Sequence, residues 1–299
     1  MILKGQNLRI FIKEATPVPV HVVAMATKCT ITLTGNSEDA SHKGITGMAS
    51  APTIVSKGWS IQVDSLNVTD AASMISVIKA GQPFTVAFDE TSGADNQTPT
   101  DAAYARIGQA FLSDVTFNFN NRENATKGIT LTGTGPLSTV ESLTIDTIQE
   151  QGYTKGQFVR LFLGSDNSAV PSRVIAAAMQ LSLHISLQLE NATTKDTEGD
   201  WVIQEPTALN YDISTTALVK SNETITSAVQ GQSIADIETI FEAGLPVKWQ
   251  IANVSGDNQR TKGNQIAQGS CIITSLTLNG PNRQNADYTA QLTGYGDIN

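Results

Sequence analysis

The side chains able to do chemistry are few and scattered. His21, His42 and His184 lie far apart in three different settings, and Cys29 and Cys271 are the only cysteines. Seven of the 28 Asp and Glu fall in two loops, one holding Asp89, Glu90, Asp95 and Asp101, the other the run Asp196-Thr197-Glu198-Gly199-Asp200. Nucleophilic or metal-assisted catalysis needs such groups at set spacings, and none is present: no GxSxG elbow, no phosphate-cradling glycine loop, no HExxH and no CxxC. The Asp196 run imitates a calcium loop, but its glycine is misplaced and the distal glutamate is missing, so it reads as a solvated turn. His184 falls in the polar phase of its strand, where a solvated imidazole is expected rather than a ligand. Trp59 and Trp249 sit in strand patterns and read as core, whereas Trp201 lies on a long connection as an exposed anchor. Six N-x-S/T sequons begin at Asn67, Asn96, Asn124, Asn191, Asn222 and Asn253. In a chain this rich in Ser and Thr about four arise by chance, so they say little. No catalytic residue, metal site or cofactor is expected.

Composition narrows the function classes further. The 299 residues carry Lys+Arg 19 against Asp+Glu 28, a formal charge of -9, with only 16% charged residues. Wrapping nucleic acid requires Lys and Arg to displace counterions from phosphates, so the net negative charge argues against that role and leaves open a surface that DNA only slides past. No apolar run approaches the roughly 20 residues of a membrane span, and a soluble chain is expected. Residues 18–26 (VPVHVVAMA) imitate a signal-peptide core, but Pro19 and His21 interrupt it and no basic stretch leads it. Two cysteines are too few for a disulfide framework, and both read as reduced core residues.

The chain is written twice, in two units of roughly 140 residues each. Both open with KGQ, at 4–6 and 155–157, followed by Leu8-Arg9-Ile10-Phe11 in one and Val159-Arg160-Leu161-Phe162 in the other. Ala24-Met25 then aligns with Ala178-Met179, and AGQPFTVAF (80–88) with AGLPVKWQI (243–251). The closing segments NRENATKGITLTGTG (121–135) and NRQNADYTAQLTGYG (282–296) match best. These anchors set a first domain at 1–137, a linker at 138–152 and a second domain at 153–299. Duplicated domains keeping the same surfaces suggest a ring or array in which one domain stands in for a second subunit.

Elements able to carry such surfaces are mostly strands. Apolar residues alternate with Thr, Ser or Asn, the mark of a sheet with one dry and one wet face. The pattern runs through Cys29-Thr30-Ile31-Thr32-Leu33-Thr34, Trp59-Ser60-Ile61-Gln62-Val63-Asp64, Val115-Thr116-Phe117-Asn118 and Ile129-Thr130-Leu131-Thr132. It returns in residues 181–188, 211–214, 276–279 and 289–293. One short helix per unit interrupts it: Thr69 or Asp70 caps the first and Ser233 the second, with Gly81 and Gly244 as left-handed stops. Pro83 and Pro246 forbid continuation. Long excursions, 36–57 and 191–208, join the first two alternating strands of each unit, and connections of that length are usually functional. The fold class is therefore mainly β: two tandem sandwiches or half-open barrels, each with one helix and one projecting arm. The wet faces are short of Lys and Arg, which suits a channel wall that a polyanion passes without sticking. An exposed Thr-rich sheet of the kind found in secreted β-proteins accounts for the same feature.

The passage Ala26-Thr27-Lys28-Cys29-Thr30-Ile31-Thr32-Leu33 leading to Ser41-His42-Lys43-Gly44 resembles the major tail tube proteins of long-tailed bacteriophages. The second copy is closer: Asn191-Ala192-Thr193-Thr194-Lys195-Asp196 with Gly199-Asp200-Trp201 is similar to that family's T-K-D…G-x-W arm. The arm motif covers about a fifth of the chain, and the first arm departs from it in lacking the Asp and the Trp. The resemblance implies a structural virion protein, assembled in the bacterial cytoplasm, whose domains close into rings of six. A duplicated chain then makes a trimeric ring, with four strands per domain in a continuous inner barrel and DNA passing through the stacked rings. It places Thr30, Thr32, Thr34, Gln62, Asp64, Thr116, Asn118, Thr132, Ser186, Gln188, Asp212, Thr277, Asn279 and Gln291 on the lumen. It assigns Ser41, Lys43, Lys195, Asp196 and Trp201 to arms that reach the next ring, where Trp201 buries itself. Implied partners are the chain itself, tail tip or initiator, tape measure and tail terminator proteins, and phage DNA only in transit, with no membrane. Two alternatives stay open: the tube of a type VI or other contractile injection system, and a two-domain bacterial surface β-sandwich binding glycan or protein. The second predicts a signal peptide and a concave aromatic patch.

Overall fold

The alternating segments become long strands because each has one face to bury and one rich in Thr and Ser, which suit a pleated surface. The computed structural model describes residues 5–13, 21–23, 25–42, 44, 50–66, 68, 70–92, 98–100, 105–139, 153–164, 171–197, 199–219, 231–255 and 261–299. The linker expected at 138–152 thus lies outside them from residue 140 to 152. In the first half, β1 (Leu8–Lys13), β2 (His21–Val22), β3 (Ala26–Asp39) and β4 (Pro52–Ser65) precede α1 (Ala71–Ala80). β5 (Phe84–Ser92), β6 (Thr98–Pro99), β7 (Arg106–Asn118) and β8 (Thr126–Thr139) follow it. In the second half, β9 (Val159–Leu163), β10 (Arg173–Ile175), β11 (Ala178–Asn191), β12 (Gln204–Leu218) and β13 (Gly231–Gln232) precede α2 (Ile234–Ala243). β14 (Val247–Ser255), β15 (Thr261–Asn279) and β16 (Asp287–Ile298) complete the chain. The protein is mainly β, as expected.

Strands pair in one order twice over, β2-β1-β5-β7-β8-β4-β3 and β10-β9-β14-β15-β16-β12-β11. The register corrects one anchor of the sequence repeat. Ala26 pairs with Ser65 and Ala178 with Ala217, each just after a left-handed residue, Met25 (φ 52°) and Ala177 (φ 51°). Met25 therefore corresponds to Ala177, two residues ahead of the alignment by identity. Arg122 (φ 65°) and Arg283 (φ 63°), and Gly135 (φ 75°) and Gly296 (φ 72°), coincide as the closing segments predict.

A second correction concerns the arms. Pairing continues out to Asp39 opposite Pro52 and to Asn191 opposite Gln204, beyond irregularities at Asn36/Ser37 and Gln188/Leu189. The excursions shrink to residues 40–51 and 192–203, because an irregularity shifts the side-chain phase and hides strand continuation from a period-two reading.

The helices end as predicted, with Gly81 (φ 58°) and Gly244 (φ 62°) donating their N–H groups to Ile78 and Phe241. Their starts differ. Ser233 accepts from the Asp236 N–H, whose carboxylate accepts in return from the Ser233 N–H, a capping box. Asp70 occupies the cap position of α1 but makes no side-chain cap bond. Its carboxylate is taken by Lys127 Nζ, at 2.7 and 2.6 Å. Thr69 lies outside the described residues.

Each half packs an aromatic ring from its second long strand across two glycines. A Cβ on Gly108 would lie 2.6 Å from Trp59 Cζ2, and one on Gly133 would strike the Trp59 indole. In the second half a Cβ on Gly294 would lie 2.6 Å from Tyr211 Cζ, and one on Gly269 3.0 Å from its hydroxyl. Trp59 is buried and its Nε1 donates to Gly135 O at 3.1 Å, so the ring has no room to retreat. Gly133→Ala is expected to cost about 1–3 kcal/mol by overpacking, read as a lowered midpoint of denaturant unfolding; an unchanged midpoint would show that the ring moves aside freely.

Candidate functional site

Every residue that the resemblance places on the lumen lies on one face of one sheet. Register runs from Thr30 to Gln62, Thr130, Asp114, Ser186 and Asn210, strand by strand across β3, β4, β8, β7, β11 and β12. A second row joins Asn118, Ser182, Ser214 and Gln291, and Thr277 and Asn279 sit opposite Thr289 and Asp287 on β15. Thr32, Thr34, Asp64, Thr116, Thr132, Gln188 and Asp212 occupy the same alternate positions. All fourteen candidates are exposed or half-exposed, and Ile61, Val63, Val115, Phe117, Leu131, Ile185, Ile213 and Leu292 between and beside them are buried, whereas Leu33 and Leu278 are not. Among the described residues, Asp64, Asp114, Asp212 and Asp287 carry negative charge on the face and Lys28 positive charge. A shallow depression lined by Lys28, Thr30, Gln62, Asp64, Asp114, Thr116 and Thr130 lies on it.

This face crosses from one half of the chain to the other. β7 and β15 each carry an irregularity, at Leu112/Asp114 and Ile273/Ser275. Before it, β7 pairs with β5; after it, residues 114–118 pair with β11 of the second half. A bulge of this kind bends a strand out of one layer and into another. His184 on β11 meets Asp114 on β7 across the join, Nε2 to Oδ2 at 2.5 Å. The imidazole is half-exposed on the wet face, as predicted, but has a carboxylate for a partner. Beneath the join, Val115, Phe117, Leu183 and Ile185 are fully buried.

The join leaves two matching edges open. β3 is the first-half counterpart of β11, yet among the described residues it pairs only with β4. Residues 275–279 of β15 correspond to 114–118 of β7, yet pair only with β16. Leu33 faces Trp59 as Ile185 faces Tyr211, and Leu278 faces Tyr288 as Phe117 faces Lys127. Ile185 and Phe117 are 0% exposed, whereas Leu33 is 65% and Leu278 59% exposed. Apolar side chains that the internal join buries are thus bare on the outer edges.

The helices repeat this asymmetry. α1 packs on β7 and across the join on β11 and β15. Its Lys79 donates to Ile298 O and to Asn299 Oδ1, at 3.2 and 2.8 Å. Ile78 is fully buried there, while Phe241, its counterpart on α2, is 41% exposed.

The arm residues fare differently. Ser41 is exposed and hydrogen-bonds Asp39, and Lys43 lies outside the described residues. Lys195 and Asp196 are exposed in a turn. Trp201 is not a free anchor: it forms a parallel bridge with Lys57 of β4 and packs on the core of its own chain. Lys57 N–H donates to Asp200 O at 2.6 Å, Val202 N–H to Lys57 O at 2.9 Å, and Gly135 N–H to Val202 O at 2.9 Å. The ion pair Lys57–Asp200 at 3.0 Å closes the same contact. The second arm therefore lies back on the first half, a long-range contact with no trace in the local pattern.

Among the described residues no three His, Cys, Asp or Glu are grouped to hold a metal. No helix of the described residues is long and apolar enough to cross a membrane. Burial pushes the Cys29 thiol up to about 11 and Cys271 to about 12, which makes both poor nucleophiles.

The sequence matches no protein-family model and no curated protein. Among solved structures, the tail of an empty gene transfer agent (GTA) particle, refined helically with C6 symmetry, is 18% identical over 49% of this chain and 97% of its own, with a TM-score of 0.38. A chain of the native GTA virion is 17% identical over 48% of this chain and 96% of its own, with a TM-score of 0.34. The SPP1 tail tube, determined by solid-state NMR and cryo-EM, is 17% identical over 47% of this chain and 75% of its own, with a TM-score of 0.36.

Proposed function

We propose that this chain is the structural subunit of a phage tail tube, in which its copies close into rings, three to a ring, and the rings stack around a channel for DNA. The observation that carries the reading is the pair of open edges: β3 and residues 275–279 of β15 are counterparts of the two strands joined inside the chain. Repeating that join between copies continues the four-strand set β3-β4-β8-β7 and its counterpart β11-β12-β16-β15 around a circle. Ring closure removes the strand edges that an isolated sheet has to protect. A heterologous contact of this kind gives rings when its rotation closes; the number three comes from the resemblance to tail tube proteins.

Chemistry of the wet face supports the same role. Hydroxyls, amides and the aspartates Asp64, Asp114, Asp212 and Asp287, with Lys28 as the lysine among the described residues, offer a polyanion hydration but few counterion-releasing contacts. The two domains are proposed at 1–137 and 153–299, and the arm tips at Ser41, Lys43, Lys195 and Asp196 are proposed to bridge rings. Tail tip, tape measure and terminator proteins are the partners such a tube requires.

Electron microscopy of the concentrated chain, with and without tail-tip complexes, tests the reading. Annuli of pseudo-six-fold outline are expected; monomers alone under both conditions would overturn it. A second test asks what the channel repels. Gln62→Lys tubes are expected to retain double-stranded DNA at low salt and release it as salt rises, whereas wild-type tubes retain none. Equal retention would contradict the lumen assignment.

A further inference from the structure

Among the described residues, the glycine of the repeated KGQ motif is held in a contact that requires glycine in one half only. Gly156, in the second copy, begins the 3-10 turn Gly156–Phe158 and sits on the β7–β8 turn of the first half. Its N–H donates to Glu123 O at 2.8 Å, and Ala125 N–H donates to Thr154 O at 2.8 Å, around an antiparallel bridge between Asn124 and Lys155. A Cβ on Gly156 would lie 2.7 Å from Asn120 N and 2.8 Å from Phe119 C, and would also strike Asn120 O. These atoms are backbone and cannot swing away, so glycine is required.

Gly5 begins the matching 3-10 turn, Gly5–Asn7, in the first copy. It is exposed, and a Cβ there would meet nothing within 4 Å. Nothing within the described chain accounts for glycine at this position. The receiving half of the contact is also duplicated. Residues 280–286 form the β15–β16 turn, with Arg283 (φ 63°) matching Arg122 (φ 65°) and Gln284 N–H reaching Pro281 O as Glu123 N–H reaches Asn120 O. This second turn is exposed at Pro281, Asn282 and Gln284. One docking element and one receiving turn are thus left over, on the same two sides of the chain as the open edges of β3 and β15.

We infer that Gly5 of each copy seats on the 281–286 turn of a second copy, its N–H donating to Gln284 O there, as Gly156 seats on 120–125 within the chain. This deepens the ring reading and rests on it: the seam between copies is a strand pair closed at one end by a backbone clasp. The clasp tolerates no side chain, so a single methyl group at residue 5 blocks the seam without touching the free protein.

The experiment compares Gly5→Ala, Gly156→Ala, Asn7→Ala and the wild-type chain by thermal melting of the monomer and by the yield of annuli in electron micrographs. Gly5→Ala is expected to melt with the wild type and to lose at least ten-fold in annuli, while Asn7→Ala assembles normally. Gly156→Ala is expected to lower the melting temperature of the monomer itself, because the same contact is internal there. Wild-type yield of annuli from Gly5→Ala would overturn the clasp and leave the ring reading standing. Absence of annuli from the wild-type chain, with or without tail-tip complexes, would overturn both.

Discussion

Leu33→Asp and Leu278→Asp are each expected to leave the free chain folded and to abolish the proposed ring assembly. Both side chains are mostly exposed in the single chain, where a surface substitution shifts stability by about 0.5 kcal/mol or less. In a seam that repeats the β11–β7 join, Leu33 takes the place of Ile185 and Leu278 that of Phe117, both fully buried. Each aspartate then forfeits about 1.5–3 kcal/mol of apolar burial. It also brings a carboxylate into a dry layer with no cation facing it, at a cost of several kcal/mol more. At about 1.4 kcal/mol per decade, a single seam weakens by at least ~100-fold, and a ring carries the loss at every seam. Ile185→Asp and Phe117→Asp make the matching contrast: they act within the chain and are expected to unfold it. Sedimentation and melting curves on the four variants check this, and rings formed at wild-type yield by Leu278→Asp would contradict the seam.

The proposed seam also implies a defined register. His184 faces Thr116 inside the chain, so a seam that repeats this join sets Thr32 of one copy opposite Thr277 of the next. Leu181 and Phe119 exchange both backbone hydrogen bonds, which makes the pair three residues along a non-hydrogen-bonded one, with Cα atoms about 4.5 Å apart. That spacing suits a disulfide. A Thr32→Cys, Thr277→Cys chain is expected to oxidise into covalent trimers, and the native thiols stay out because burial holds Cys29 at about 11 and Cys271 at about 12.

Asp70→Ala is expected to be the most destabilising single change away from the seam. Lys127 is buried to 1% exposure, and Asp70 holds its ammonium with both carboxylate oxygens. Removing the carboxylate strands a buried charge, which costs about 3–5 kcal/mol; Lys127→Met in the same chain is expected to restore most of that, since an apolar side chain of similar length needs no partner. Burial pushes the Lys127 ammonium below its ordinary value, against the pull of Asp70. The folded chain therefore binds this proton less tightly than the unfolded one. Stability from this group rises as pH climbs from the depressed folded value towards the ordinary lysine value, and the gain is absent below that window. Urea titrations at neutral and alkaline pH check both statements, and an Asp70→Ala midpoint equal to wild type would show that solvent reaches Lys127. In the second half Ser233 and Tyr288 take the places of Asp70 and Lys127, and burial pushes the Tyr288 hydroxyl up to about 12.

The features legible in the residues alone are those set over a few neighbours. Alternation marked the long strands and their wet positions, since a side chain's face depends only on its parity along the strand. Gly81, Gly244 and Ser233 marked helix ends because each acts on backbone groups within a turn. The KGQ and NR…LTG repeats disclosed the duplication. Local pattern failed where a distant strand intervened: irregularities in the sheet lengthened β3 and β11 beyond the alternating runs, Lys127 drew Asp70 away from its capping role, and Trp201 found a place against β4 of its own chain.

Pairing across the chain was beyond the reach of periodicity. Nothing near His184 or Ile185 says that β11 meets β7, because that contact joins residues about seventy positions apart through backbone groups that every residue shares. Parity assigns Leu33 and Ile185 to the same dry face, and both belong to the same kind of edge strand. Folding covers one with β7 and leaves the other bare. The difference arises because one chain supplies a neighbour for its inner edges only.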